Sequence, residues 1–255
     1  VLLLTPDEPS AARMYEDLVQ LCGGEDCALY HAKDFRFRSA EGASNEYEQR
    51  RLFVLGRILT GECNVVVASA EAAMQYTIPP GTYKYNTLTL KRGEAADIRE
   101  LSERLSRAGY ERRAQVDGPC QFSVRGGILD FYSPREQSPA RIEFWGDETD
   151  SVAFFDLETQ RRTKEIDGIS IAPAREVLPD SNAVLISVLK DAHSKLRGKQ
   201  GVAAKAHIEE ELQRIDSGLS LSAPDRYLPL IYKFPATLFD YMPEAAICVS
   251  EYITL

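Results

Sequence analysis

Two arginines and one tryptophan are the residues of this sequence whose types and spacing best fit recognition chemistry. Arg125 lies in a strand-like stretch, Arg141 begins another, and Trp145, the single tryptophan, follows four positions later. Alternate side chains of a β-strand point to opposite faces, so Arg141, Glu143 and Trp145 share one face. Arg and Trp are enriched at the energetic centres of protein interfaces. The pattern therefore indicates a recognition surface.

Two interpretations of this face are open from the pattern alone. If Ile142 and Phe144, on the opposite face, pack against a helix, the face that carries the arginines and the tryptophan is exposed. Alternatively, Trp145 belongs to the core and the arginines pair with Glu143 or Asp130. Periodicity does not choose between them.

The residues around Arg125 read as one continuous strand, Phe122 to Tyr132. Alternation along it groups Ile128 with the apolar residues and places Leu129 on the face of Arg125. The pair Gly126-Gly127 inside this stretch is typical of a β-bulge or of a close approach between backbones.

Motifs for catalysis are missing from the sequence. It contains neither a Gly-x-x-x-x-Gly-Lys-[Ser/Thr] loop nor a Gly-x-Gly-x-x-Gly turn. The turn that follows the first apolar run, residues 5–9, has two prolines without N–H groups and two carboxylates that repel phosphate. No nucleophile elbow or acid/base pair is recognisable, and the acidic run at 147–150 is typical of a solvated turn. We expect no catalytic residue and no cofactor.

The cysteines do not indicate a metal or disulfide site. Five cysteines are scattered along 255 residues without Cys-x-x-Cys spacing, and the three histidines do not cluster with them. This usage is typical of a reducing interior, so a cytoplasmic location is expected.

Charge and hydropathy also exclude some classes of function. The net charge is −9, and the stretch 107–145 holds six arginines against five acids. A local excess of one positive charge is too small for the several phosphate contacts on which DNA binding rests. No run approaches the ~20 apolar residues of a membrane span, and no secretory signal is present.

The elements that position the candidate face follow from hydrophobic periodicity. Buried-strand runs at 1–4, 28–30 and 65–68 alternate with helical patterns at 7–21 and 46–59, separated in part by a polar loop at 36–45. This order predicts a parallel sheet covered by helices. After Pro79-Pro80-Gly81 the pattern changes to a helix with Ile98, Leu101 and Leu105, followed by strands that include 141–145 and 152–155. A small α+β antiparallel domain is therefore expected at 82–165.

The last third returns to a mixed pattern. Apolar runs at 183–186 and 246–249 read as strands or buried segments. A charge-rich helical stretch at 191–215 contains breaks at Gly198 and Gly201. We therefore predict three parts: 1–81, parallel α/β; 82–165, α+β; and 166–255, which completes the α/β domain.

Several motifs together resemble the N-terminal, UvrB-like module of bacterial transcription-repair coupling factors (Mfd). They are GPCQFSVRGGILDFY at 118–132, RIEFWGDE at 141–148 and FDLETQRR at 155–162. The first part resembles domain 1a, with Arg50 and Arg51 in the helix before the strand at 65–68. The end, LFDYMPE at 238–244, resembles the approach to the acidic motif of domain 1b. The resemblance implies a degenerate helicase-like sheet interrupted by domain 2, which corresponds to 82–165.

UvrB shares part of these motifs, but three departures favour the coupling factor. In UvrB a Walker A loop precedes the strand that resembles 1–4, and this sequence begins after that point. Where UvrB has Asp-Glu-Ser-His, the chain has Ser250-Glu251-Tyr252-Ile253, without the aspartate that would hold Mg²⁺. UvrB also has a long DNA-gripping hairpin, whereas only a turn fits between Met74 and Thr87. The alternative is a fragment of UvrB itself, the ATP-dependent damage-verification subunit of the excision nuclease.

The resemblance implies a non-catalytic adaptor that binds UvrA and brings nucleotide excision repair to stalled RNA polymerase. The implied interface centres on Arg125, Arg141 and Trp145, with Glu143 as a weaker candidate. At the position of Trp145 the family often has Phe, and Trp keeps an aromatic anchor there. The intact family protein contacts RNA polymerase and duplex DNA through other domains and moves on DNA by a C-terminal ATP-driven motor that is not in this segment. No membrane partner is implied.

Overall fold

The computed structural model describes residues 1–33, 46–219, 221–222 and 224–250. The predicted polar loop at 36–45 and the tripeptide 251–253, discussed above for the UvrB motif, lie outside the described residues. Within the described part, no helix is long and apolar enough to cross a membrane.

The described elements alternate between strands and helices before a run of antiparallel strands. The strands are β1 (Leu2–Thr5), β2 (Cys27–Tyr30), β3 (Val65–Ser69), β4 (Leu88–Lys91), β5 (Glu111–Arg112), β6 (Gln121–Arg125), β7 (Ile128–Phe131), β8 (Ala140–Trp145), β9 (Glu148–Phe155), β10 (Arg162–Ile166), β11 (Gly168–Ile171) and β12 (Ile247–Val249). The helices are α1 (Glu8–Cys22), α2 (Glu46–Thr60), α3 (Ala70–Met74), α4 (Pro80–Tyr85), α5 (Ile98–Arg107), α6 (Asn182–Lys195), α7 (Gly198–Asp216), α8 (Leu228–Ile231) and α9 (Leu238–Tyr241), with a 3₁₀ turn at Pro224–Tyr227.

The first sheet is parallel, in the order β12-β1-β3-β2. Strands β1, β2 and β3 are short apolar runs that are mostly buried, and Val66 and Val67 are fully buried. The edge strand β12 is exposed, with Ile247 at 52%. The Asp7 side chain accepts a hydrogen bond from Ser10 N at 2.7 Å and thereby caps α1. The pairing of β1 with β12 brings the end of the described chain beside its beginning.

The second sheet has six strands in the order β10-β9-β8-β7-β6-β5, all antiparallel except the pair β5 and β6. Helix α5 packs Leu101 and Leu105 into a core with Phe122, Leu129 and Ile142. Strands β4 and β11 form a separate two-stranded antiparallel sheet, and their buried residues join the same core. The predicted fold class, a parallel α/β sheet interrupted by a small antiparallel α+β domain, is confirmed.

The continuous strand predicted for Phe122–Tyr132 is wrong. Gly126 and Gly127 form a two-residue hairpin turn in which Gly126 has φ +61°, a conformation that favours glycine. A Cβ at Gly127 would lie 2.9 Å from the carbonyl oxygen of Phe144, so the predicted close backbone approach is present at this position. A two-residue turn pairs the residues on either side of it, so Ile128 lies opposite Arg125 and Leu129 opposite Val124.

This hairpin reverses two predicted side-chain placements. Leu129 is fully buried in the core, whereas Ile128 is only partly buried and shares the face of Arg125. The prediction that 183–186 forms a strand or buried segment is also corrected, because these residues lie in α6, where Val184 is 45% exposed. The long helical stretch is broken as expected near Gly198, between α6 and α7, but the break predicted at Gly201 is wrong, because Gly201 lies inside α7.

Candidate partner-binding site

One buried carboxylate holds both candidate arginines on the outer face of the six-stranded sheet. Asp130, 1% exposed, accepts hydrogen bonds from Arg141 Nε at 2.7 Å and Arg141 Nη2 at 2.9 Å, and from Arg125 Nη2 at 2.7 Å. Of the two pairing partners left open above, Asp130 is therefore the one used. The bidentate contact with Arg141 is the strong, directional form of this ion pair.

Arg141 is further immobilised on two sides. Its Nη1 donates to the backbone carbonyl of Gln160 at 3.2 Å, and its Cζ lies 4.8 Å from the centre of the Phe155 ring. Gln160 adopts φ +59°, unusual for a non-glycine residue, in the turn between β9 and β10. The hydrogen bonds to Asp130 raise the pKa of Arg141 above its ordinary value. Arg141 is thus a fixed, permanently charged group.

Arg125 differs from Arg141 in accessibility. Its side chain is 47% exposed, against 14% for Arg141. A guanidinium carries five N–H donors, and only one of those of Arg125 contacts Asp130. Arg125 is therefore held at one nitrogen, and its remaining donors have no partner among the described residues.

Trp145 lies on the surface and not in the core. It is 85% exposed at the end of β8, where it pairs with Glu148 of β9. Ile142 is fully buried and Phe144 partly buried against the core, so the outward direction of Trp145 follows strand alternation. A large apolar group this exposed is available for burial by a partner.

Glu143 has local partners. It accepts hydrogen bonds from Ser151 Oγ and from Arg162 Nη1, both at 3.2 Å. Ser151 lies on the adjacent strand β9 and Arg162 on β10, one strand further, and the Glu143 side chain is 34% exposed. The negative charge of Glu143 is therefore largely neutralised within the sheet, and Glu143 stays the weaker candidate of the four.

The sequence pattern missed one residue of this face. Ile128 pairs with Arg125 on one side and with Glu143 on the other, so a partly buried aliphatic side chain lies between two charged ones. The Gly126-Gly127 dipeptide was the available signal, because two glycines between strand patterns are typical of a hairpin turn.

The carboxyl ends of the parallel strands, where α/β proteins commonly bind ligands, are occupied by a side chain of the chain itself. Glu8, in the first turn of α1, accepts a hydrogen bond from Ser69 Oγ at 2.5 Å and lies 3.4 Å from His31 Nδ1. Burial raises the pKa of Glu8, but the contacts with His31 and Ser69 outweigh it and leave the pKa below its ordinary value. The Glu8 carboxylate therefore occupies the N-terminal end of α1, where the backbone N–H groups would otherwise attract an anion.

Metal ligands are not grouped in the described part of the chain. Among those residues, no set of three or more His, Cys, Asp or Glu side chains is placed to hold a metal ion. Cys27, Cys63 and Cys120 are buried, Cys248 is exposed, and none of these four forms a disulfide within the described residues.

The antiparallel domain defines the class to which the site belongs. Residues 88–177, which include β4 to β11 and the whole candidate face, match the family model of the UvrB interaction domain. The chain as a whole is similar to transcription-repair-coupling factors, and the resemblance inferred from its motifs is confirmed.

The curated relatives are similar along nearly the whole chain. The transcription-repair-coupling factor of Bacillus subtilis is 30% identical over 261 residues, which cover 100% of this chain and 22% of the relative. That of Haemophilus influenzae is 28% identical over 250 residues, 97% of this chain and 21% of the relative. The Staphylococcus haemolyticus protein is 26% identical over 257 residues, 98% and 22%. The chain therefore spans about a fifth of the length of these relatives.

Proposed function

We propose that this chain is a non-catalytic adaptor module that binds UvrA and thereby brings nucleotide excision repair to stalled RNA polymerase. The contact surface is the outer face of the six-stranded sheet, centred on Arg125, Arg141 and Trp145, with Glu143 at its margin. The match to the UvrB interaction domain, together with similarity to coupling factors along the whole chain, supports this role over that of a UvrB fragment.

The observation that carries the proposal is the exposure of Trp145 on the same sheet face as an arginine pair that is already ordered. An 85% exposed tryptophan offers a large apolar area at low conformational cost. The arginines lose little side-chain entropy on binding, because Asp130 holds them before a partner arrives. Aromatic and arginine anchors of this kind provide most of the binding energy at interfaces.

The chemistry of the face specifies the partner's surface. The free N–H groups of Arg125 require carboxylates or carbonyls on UvrA, and Trp145 requires an apolar pocket. In the longer protein of which this module forms a part, RNA polymerase and duplex DNA are contacted by other domains. A C-terminal ATP-driven motor supplies the movement on DNA.

Titration calorimetry with purified UvrA tests the proposal. We expect Arg125→Ala, Arg141→Ala and Trp145→Ala each to weaken binding by ~2 kcal/mol or more. Arg104→Ala is the matched control, because Arg104 is an exposed arginine of the same domain that lies on α5. Equal affinity of all three folded variants and the wild type would exclude this surface as the UvrA site.

A gel-shift titration with duplex DNA at physiological salt separates protein recognition from direct DNA binding. We expect no tight complex, because the face carries few positive charges that are not paired with acids. Tight, salt-sensitive binding that is lost in Arg125→Ala would identify the face as a DNA-binding surface instead.

A further inference from the structure

Among the described residues, Asp130 is the one group that accepts hydrogen bonds from both arginines of the proposed interface. In the sheet register it lies between Ser123 of β6 and Arg141 of β8, in a row that faces away from the core of the domain. Its side chain is 1% exposed, so it is not itself available to a partner. A buried carboxylate with three charge-assisted hydrogen bonds fixes the groups that donate them.

We propose that Asp130 is a positioning residue for partner binding: it sets the direction of the Arg125 and Arg141 guanidinium groups and thereby determines recognition of an acidic surface. This inference rests on the proposed function, because it concerns the geometry of the same face. Asp130 acts through the arginines and makes no contact with the partner.

One carboxylate orders both arginines and still leaves some of their N–H donors available to a ligand. Arg141 uses three of its five N–H groups, two on Asp130 and one on the Gln160 carbonyl. Arg125 uses one, so four remain for a ligand. Asp130 therefore fixes Arg141 as a rigid support and holds Arg125 at a single nitrogen, which leaves a directed fork of donors.

The sign of the effect distinguishes positioning from simple charge balance. Asp130, Arg125 and Arg141 together carry a net charge of +1, and Asp130→Asn raises it to +2. If Asp130 only neutralised the arginines, this substitution would strengthen attraction to an acidic partner. If Asp130 positions them, binding weakens although the face becomes more positive. The two accounts thus predict opposite changes of affinity.

The first measurement uses the wild-type protein and concerns the ordering itself. Nitrogen-15 NMR reports the Nε–H of each arginine, and that of Arg141 should exchange slowly with solvent, because it donates to Asp130 at 2.7 Å. Arg107 is the control, since it is exposed and lies 3.8 Å from Glu103. An Arg141 signal as rapidly exchanging as that of Arg107 would overturn the proposal. This result does not depend on whether any variant folds.

The second measurement is UvrA affinity by calorimetry. We expect Asp130→Asn, with native circular dichroism, to lose about tenfold or more in affinity, a typical result when a charged hydrogen-bonded group is misplaced at an interface. In an Arg125→Ala background the same substitution should cost at least threefold less, because part of its effect runs through Arg125. Unchanged or tighter binding of Asp130→Asn, or an equal loss in both backgrounds, would overturn positioning by Asp130.

The pattern of results separates the two proposals. If Arg125→Ala and Trp145→Ala bind UvrA as the wild type does, the proposed interface fails and the role of Asp130 fails with it. If those variants lose binding while Asp130→Asn does not, UvrA recognition stands and only the inference about Asp130 is overturned.

Discussion

Arg51 and Glu176, 125 positions apart in the sequence, form an ion pair from which solvent is excluded. Arg51 Nε lies 2.8 Å from Glu176 Oε1, and both side chains are 0% exposed. Lys33 Nζ approaches the other carboxylate oxygen of Glu176 at 2.5 Å, and the Arg51 guanidinium stacks over the Tyr30 ring at 4.2 Å. The pair joins α2 to the segment that follows β11, where the chain returns from the antiparallel domain to the parallel sheet. It therefore ties the two parts of the fold together.

Removing the charge of Glu176 should destabilise the protein strongly. Glu176→Gln removes the buried counter-charge of Arg51 and leaves Lys33 with Asp225 alone, at 3.1 Å. Breaking one side of a buried pair costs roughly 3–5 kcal/mol. Urea unfolding followed by circular dichroism measures the loss. Glu165→Gln is the control, because Glu165 is 69% exposed and its pair with Arg162 is worth less than about 1 kcal/mol. Similar unfolding midpoints for the two variants would contradict the structural role of the buried pair.

The ion pair of Arg51 and Glu176 also predicts that the free energy of unfolding depends on pH. Burial raises the pKa of Glu176, but Arg51 and Lys33 outweigh it and hold the pKa below the ordinary value of 4.5. Near and below pH 4.5 the unfolded chain therefore binds the proton more readily than the folded one, and stability falls as pH decreases through the folded-state pKa. The advantage of wild type over Glu176→Gln should shrink across this range.

The comparison of wild type with Glu176→Gln removes most of the contribution of Glu48, which acts in the opposite direction. Burial is the largest cause that raises the pKa of Glu48 and is common to both proteins, whereas the charge of Glu176 is a smaller cause. Urea unfolding midpoints of both proteins, measured at intervals from pH 6 to pH 3, give their stability difference as a function of pH. A stability difference that stays constant over this interval would show that Glu176 is not the titrating group.

Trp145 should report partner binding by its fluorescence without affecting stability. Because it is 85% exposed, the free module should emit near the wavelength of tryptophan in water, and Trp145→Ala should change the free energy of unfolding by less than ~0.5 kcal/mol. Addition of UvrA should shift the emission to shorter wavelength as the ring leaves water. Trp145→Phe provides the background signal of UvrA. An unshifted spectrum at saturating UvrA would place Trp145 outside the contact.

The arrangement of the parallel sheet could be predicted because its signals are local. Apolar runs such as Val65–Ala68 define buried strands, and Asp7 before a helical pattern defines a helix start. The run at 183–186 was misassigned because a short apolar segment fits a strand or a helix equally well. The division at 81 and 165 stays a prediction.

The details of the candidate site depend on contacts that are remote in sequence. Residue types alone suggested Arg125, Arg141 and Trp145 as a binding face. Neither spacing nor propensity shows that both arginines converge on Asp130, because that follows from the register of three strands. The joining of Arg51 to Glu176 is equally non-local. Sequence thus indicates which residues can recognise a partner, whereas strand pairing decides how they are held.

Two adjacent residues of β7 provide a direct test of that register. Leu129 is fully buried, so Leu129→Ala should cost ~2–5 kcal/mol of stability. Ile128 is partly buried on the face of Arg125, so Ile128→Ala should cost clearly less stability and weaken UvrA binding instead, because the side chain lies between Arg125 and Glu143.

Urea unfolding and calorimetry on the same two proteins give both quantities. The folded fraction of Leu129→Ala should bind UvrA with nearly wild-type affinity, since Leu129 does not face the partner. The reverse result, with Ile128→Ala the less stable variant and Leu129→Ala the weaker binder, would restore the continuous strand predicted by simple alternation. That outcome would contradict the hairpin at Gly126-Gly127, on which the shared contact of Arg125 and Arg141 with Asp130 depends.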